Sequence, residues 1–284
     1  MIIDIHTHAF PDAIAQAAVS KLQAGSHTFA FSDGTYGALS AGMKASGIDM
    51  SVVLPVATGA RQVEHINDFA IRVNERTAET GVMSFGCMHP GFEDPAPELE
   101  RIARAGVRGI KLHPAYQQVD FDDERYLRIL DICAALGLVV ITHAGYDVGL
   151  PLCAQASAEK LARAAKKAKG VTLVLAHMGA WRDWQRACEL LPETGAYIDT
   201  SFSLGSMTPC GDGYYKTPQE LERLSEEEFL GIVRAFGYER VLFGSDSPWG
   251  DAGADARRIA ALPLSETETA AILGGNAQKL LGIK

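Results

Sequence analysis

Two histidines stand two residues apart in the opening stretch MIIDIHTHAF, at His6 and His8. Imidazole is the commonest side-chain metal ligand, and two held side by side suit a compact cation. Ile2, Ile3 and Ile5 read as a buried strand, in which side chains alternate faces, so His6 and His8 point the same way. For this pair alone, a hydrogen-bonded core role competes evenly with metal binding. Further along, His143, His177 and Asp246 close other apolar runs, as do His89, Lys111, His113 and Asp199. A few neutral nitrogen donors and a carboxylate, with one coordination position left for water or substrate, are what a catalytic divalent cation needs. As a set, His6, His8, His143, His177 and Asp246 point to metal-assisted chemistry.

The runs that carry these residues recur eight times: 1–8, 50–57, 82–89, 107–114, 138–145, 171–179, 196–203 and 240–248. Their nearly unbroken apolar character is that of parallel strands buried on both faces. Between them lie helical patterns with caps, such as 122–137, acidic at its start and ending on Gly137, and 157–170, from Ser157 to Gly170. Eight strand–helix alternations in 284 residues predict an α/β fold, a (β/α)8 TIM barrel, as a single domain over 1–284. An open nucleotide-binding sheet would also alternate, but no GxGxxG or Walker-type loop follows any strand. In a barrel, polar residues at the C-terminal strand ends converge on one mouth. The stretch from Phe202 to about Arg240 has no strand pattern. Its Gly-, Pro- and aromatic-rich first part is expected over the mouth, with a helix over 218–237 leading into the last strand.

Net charge is −9, from 35 acidic against 26 basic residues, without a long basic run, which argues against nucleic acid and anionic membranes as partners. Five scattered cysteines, none in a CxxC pair, fit reduced thiols better than a disulfide framework. With no membrane-length apolar run and no signal-peptide pattern, the expectation is a cytoplasmic protein that meets a small-molecule substrate, with a homodimer as the default assembly.

The stretches DIHTH, THAG, AHMG and FGSDSPW, ending strands one, five, six and eight, resemble the amidohydrolase superfamily, in its amidohydrolase-related branch with the aminocarboxymuconate semialdehyde decarboxylase-like enzymes. The resemblance spans the chain, including a closing helix over 268–283 with an Asn276–Ala277 pair. It implies that His6, His8, His143 and Asp246 bind the metal, that Asp246 also handles protons, and that His177 is the acid/base at the metal's edge. The implied cofactor is one Zn²⁺, with Mn²⁺ as the alternative. Lys111 stays open among three readings: a carboxylated bridge in a binuclear centre, a cation for a substrate carboxylate, or a paired lysine at the barrel rim.

Three functions follow from this set. The leading one is a hydrolase in which metal-activated water attacks an amide, ester or lactone of a small, carboxylate-bearing substrate. The second is a non-oxidative decarboxylase using the same ligands, and the third a non-catalytic metal-binding interaction protein. Asp199 is expected to orient a ligating histidine. His89 and His113 are expected in supporting roles, His27 and His65 in solvent. Substrate contacts are sought among Tyr116, Tyr146, Trp181, Arg182, Trp249, Tyr214, Tyr215 and Lys216.

Overall fold

Nine short strands carry the architecture of the computed structural model, which describes residues 1–283. They are β1 (Ile3–Thr7), β2 (Met50–Val53), β3 (Val82–Ser84), β4 (Gly86–Cys87), β5 (Gly109–Leu112), β6 (Val139–Thr142), β7 (Thr172–Leu175), β8 (Tyr197–Asp199) and β9 (Val241–Leu242). All pair in parallel, in the orders β1-β2-β3 and β4 through β9. β3 and β4 are one barrel position interrupted at Phe85, whose N–H bonds Val53 O at 2.9 Å, so the eight predicted runs supply the eight staves. Ile5 N–H to Phe243 O at 2.9 Å and a Thr7–Ser247 bridge join the last stave to the first. The fold is a TIM barrel.

Strand parity sorts the side chains. Val139 and Ile141 on β6, Val174 on β7 and Leu242 on β9 pack with Ile3, Ile5, Val52, Leu54 and Phe85 in an inner core, while Val140, Leu173, Leu175 and Phe243 belong to a larger cluster shared with the helices. In β1, simple alternation from Ile3 and Ile5 would turn His6 away from the barrel axis. The register prevents this: Asp4 pairs with Ser51 and Thr7 with Val53, so β1 carries one extra residue there. The bulge leaves Asp4 outward, bonded to Ser245 Oγ at 2.6 Å, and brings His6 into the interior.

Three helices bear on the site: α1 (Asp12–Ser26), α2 (Tyr36–Ser46) and α3 (Val63–Asn74). Other helices begin where the sequence provides caps. Asp123 accepts from Arg125 N–H at the start of Glu124–Leu136, which ends on Gly137 as read from sequence. Three helical expectations need correction. The 157–170 helix stops at Lys167. The helix over 218–237 is two, Pro218–Leu221 and Glu226–Phe236, because Thr217 with Glu220 and Ser225 with Glu228 each form a separate capping box. The chain between them pairs through Leu224 and Glu222 with Leu204 and Ser206. The closing helix over 268–283 is broken by a π-helical turn at Ala271–Gly275. Asn276 follows it and donates to Tyr238 O at 2.7 Å and Val241 O at 2.8 Å, tying the C-terminal segment to the start of β9.

Candidate metal centre and cavity

A cavity of about 690 Å³ opens at the C-terminal ends of the strands, and His6, His8, Lys111, His143, His177 and Asp246 all line it. His6, His8 and Asp246 form one group. His6 Nε2 and His8 Nε2 lie 3.3 and 3.2 Å from Asp246 Oδ1. Two ligand atoms on a tetrahedral zinc, each about 2.0–2.2 Å from the metal, stand roughly 3.3 Å apart, so the spacing fits. Asp246 and His177 both have left-handed backbone, φ 64° and 58°, a conformation costing a non-glycine residue about 1–2 kcal/mol and favoured at functional sites. Gly244 makes room for this arrangement: a Cβ there would stand 2.8 Å from the Cβ of His6.

The far nitrogens of the histidines decide where their protons sit. A carbonyl or carboxylate oxygen can only accept, so the nitrogen facing it carries hydrogen. His6 Nδ1 faces Asp199 Oδ2 at 2.8 Å, and His8 Nδ1 faces Leu54 O at 2.9 Å. His143 Nε2 faces Tyr146 O at 3.0 Å, and His177 Nδ1 faces Ser201 O at 3.1 Å. Burial lowers His6 to about 4 with Lys111 adding to the shift, lowers His177, and lowers His143 well below the usual range, so these three rings are neutral at pH 7. Their other nitrogens are then bare lone pairs. His143 Nδ1 and His177 Nε2 face each other at 3.1 Å, both lone pairs, an arrangement that requires a cation or a shared proton between or beside them. The donor set fits a divalent metal, and its outer contacts are those that orient metal-binding imidazoles.

The structure places the expected ligands unevenly. His6, His8 and Asp246 are mutually within 4.8 Å, whereas His143 turns its inward nitrogen to His177. His143 also joins a second close group with His113 and Asp147. That group suits an ion poorly, because the His113 and His143 rings are stacked at 4.3 Å and 11°, so their in-plane lone pairs run parallel instead of converging. His113 instead stacks between His143 and Tyr116. Asp147, pushed up to about 6 by burial, lies 3.6 Å from His113 Nε2.

Lys111 is fully buried, its pKa lowered to about 8 by that burial, and its Nζ donates to His6 Nε2 at 3.2 Å. Burial would raise the Asp246 and Asp199 carboxyls. The polar groups around them outweigh it, His8, His6 and His177 beside Asp246 and His6, His177 and the Ser201 hydroxyl beside Asp199, keeping both ionised. Asp199 accepts from His6 Nδ1, from His177 N at 3.1 Å and from the Ser201 hydroxyl, which itself lies 3.0 Å from His6 Nδ1 and 2.9 Å from His177 Nδ1. Ser201 and Asp147 escaped the sequence reading. Ser201 is two residues beyond Asp199, so strand parity is the signal that places it beside the histidines.

Of the expected substrate contacts, Tyr116, Trp181 and Trp249 line the cavity. The buried Trp249 indole N–H has no acceptor among the described residues. Gly145 lets the loop after β6 press against Trp181, since a Cβ there would come within 2.2 Å of Trp181 N. Tyr146 supplies its carbonyl to His143, and Arg182 lies over the Trp181 ring. Tyr214, Tyr215 and Lys216 stay outside the cavity wall; Tyr215 donates to Ser26 O at the end of α1. His89 accepts from Gly91 N–H in a turn. His65 is exposed at the cavity wall, but His27 is not free in solvent: it stacks on Tyr214 and pairs with Asp212 at 2.6 Å.

A family model described as Amidohydrolase matches residues 3–283. The chain belongs to this family. No curated protein matches it by sequence. Among solved structures, the amidohydrolase fold is shared with 5-carboxyvanillate decarboxylase LigW from Sphingomonas paucimobilis, at 18% identity and TM-score 0.67, covering 100% of this chain and 99% of that one. A dihydroxybenzoic acid decarboxylase from Polaromonas sp. JS666, with bound manganese and 2-nitroresorcinol, matches at 16% and 0.68, over 99% and 97% of the two chains. A putative 2-pyrone-4,6-dicarboxylic acid hydrolase from Pseudomonas putida matches at 18% and 0.65, also over 99% and 97%. The family is a metal-dependent enzyme family, and its structural neighbours include both decarboxylases and hydrolases. No described helix is long and apolar enough to cross a membrane.

Proposed function

We propose that this amidohydrolase is a metal-dependent hydrolase acting on an amide, ester or lactone of a small carboxylate-bearing substrate. The observation that carries the reading is the set of inward imidazole lone pairs, each fixed by an acceptor on its far nitrogen, beside an ionised Asp246 in one cavity. His6, His8 and Asp246 would hold the cation, with His143 Nδ1 completing the set. When bound, a divalent cation supplies Lewis acidity, polarising a carbonyl and making water acidic near neutral pH.

The chain's own residues do the rest. Asp246, ionised at the cavity wall, takes the proton from the attacking water and returns it to the leaving group, either directly or by first passing it to the His177 Nε2 lone pair, which then donates it. With His6 Nε2 given over to a metal, Lys111 would lose its hydrogen bond to that nitrogen and its ammonium would be free for the substrate carboxylate. Trp181 and Trp249 keep bulk water from the reacting end.

The mainly apolar wall with Lys111 among its cations favours one second reading, a decarboxylase that holds a carboxylate in a dry site until carbon dioxide departs. Two measurements decide. Metal per chain, on protein purified without a histidine tag, should be about one zinc or manganese, reduced in Asp246→Asn and unchanged in Lys111→Met. Two metals falling in Lys111→Met would instead establish a carboxylated bridge, and none after reconstitution would sink the metal chemistry. Esters, lactones and aromatic carboxylates are then screened with carbon dioxide followed in parallel. Hydrolysis of an amide, ester or simple lactone releases none, so carbon dioxide from wild type but not Asp246→Asn would replace hydrolase by lyase.

A further inference from the structure

The cavity does not end at the reacting residues: it continues outward as a groove between α1 and α3. Ile14, Ala18 and Leu22 recur every four residues on α1 and line one side, while Ile66 and Phe69, three apart on α3, line the other. A helix normally spends its apolar stripe on the core. On α1 that task falls to Ala15 and Val19, which are buried, so Ile14, Ala18 and Leu22 form a second apolar stripe that the fold does not use, with Ile14 still 52% exposed. Lys21 and Arg61 also line the cavity and, unlike the buried Lys111, are both exposed, and no ion pair among the described residues includes either.

We infer that the substrate is an elongated amphipath, with its reacting group beside His6, His8, Lys111 and Asp246, an acyl or aryl-alkyl body along the groove, and an anionic distal group at Lys21 and Arg61. A pocket of about 690 Å³ matches a ligand of that length, since cavities of roughly 300–1,000 Å³ enclose drug-sized molecules, and a single-ring acid would leave the groove unfilled. The two cations also stand out locally in a chain of net charge −9. The placement of the reacting group rests on the function proposed above; the apolar groove and its cationic end do not.

Calorimetric titration of the metal-loaded protein with butanoate, octanoate, decanoate and decanedioate tests it. Affinity should rise roughly two- to four-fold per added methylene. Decanedioate should bind about five-fold tighter than decanoate at low ionic strength, and the difference should shrink in salt. Ala18→Trp, which fills the groove, should flatten the series, and the double change Lys21→Met with Arg61→Met should remove only the decanedioate advantage. A flat series in wild type, or an unchanged one in Ala18→Trp, would overturn the groove, and decanedioate no tighter than decanoate would overturn the distal anion. A chain-length series in protein that turns over neither esters nor carboxylates would support the groove while defeating the catalytic reading.

Discussion

At the site, the side chains proposed to meet a metal matter no more than the groups that hold them. His6 is aimed by Asp199 and the Ser201 hydroxyl, His177 by Ser201 O, His143 by Tyr146 O and His8 by Leu54 O. Removing one such partner frees a ring to turn and lowers its basicity. Asp199→Asn should weaken metal affinity about 10- to 100-fold, measured against a competing chelator. Which histidines could serve was legible from their positions at strand ends. That His143 pairs first with His177, and that His113 is sandwiched between two rings, was not, because ring orientation depends on neighbours from other strands.

Between the strands, the elements at the barrel's end act as ties. Asn276 satisfies two backbone carbonyls of the turn into β9, so Asn276→Ala leaves both without their donor and should cost about 2 kcal/mol, lowering the melting temperature by several degrees in calorimetry. Ala252–Ala260, the helix after β9, carries a titratable counterpart. Burial raises Asp255 from 3.8 to about 6, against the opposing pull of Arg223 and Arg258. Between those values the folded state holds a proton that the unfolded state has released, so this group's contribution to stability falls as pH rises from about 4 to about 6 and stays low above it. Its side chain is 18% exposed, which trims the roughly 3 kcal/mol that two pK units represent. Asp255→Asn should therefore raise the melting temperature at pH 7 and leave it nearly unchanged at pH 3.5. Element boundaries such as the break at 222–225 followed from capping boxes present in the sequence, but a continuous helical pattern conceals them until Leu224 and Glu222 find partners in another loop.

Over the whole molecule, the proposed metal site also bears on stability. Inward lone pairs and an ionised carboxylate crowd one end of the barrel, so a bound divalent cation should stabilise the fold as well as serve chemistry. Treatment with a chelator should lower the melting temperature, and one equivalent of zinc or manganese should restore it; an unchanged melting curve would show that the imidazoles are satisfied without metal. The sequence by itself determined the eight-fold alternation, the strand ends bearing His6, His8, His143, His177 and Asp246, and the family pattern, because periodicity and residue type are local properties of the chain. Only the tertiary structure decided the bulge that turns His6 inward, the pairing of His143 with His177, and the groove between α1 and α3. Each depends on register or on contact between segments tens of residues apart, and no local pattern encodes that.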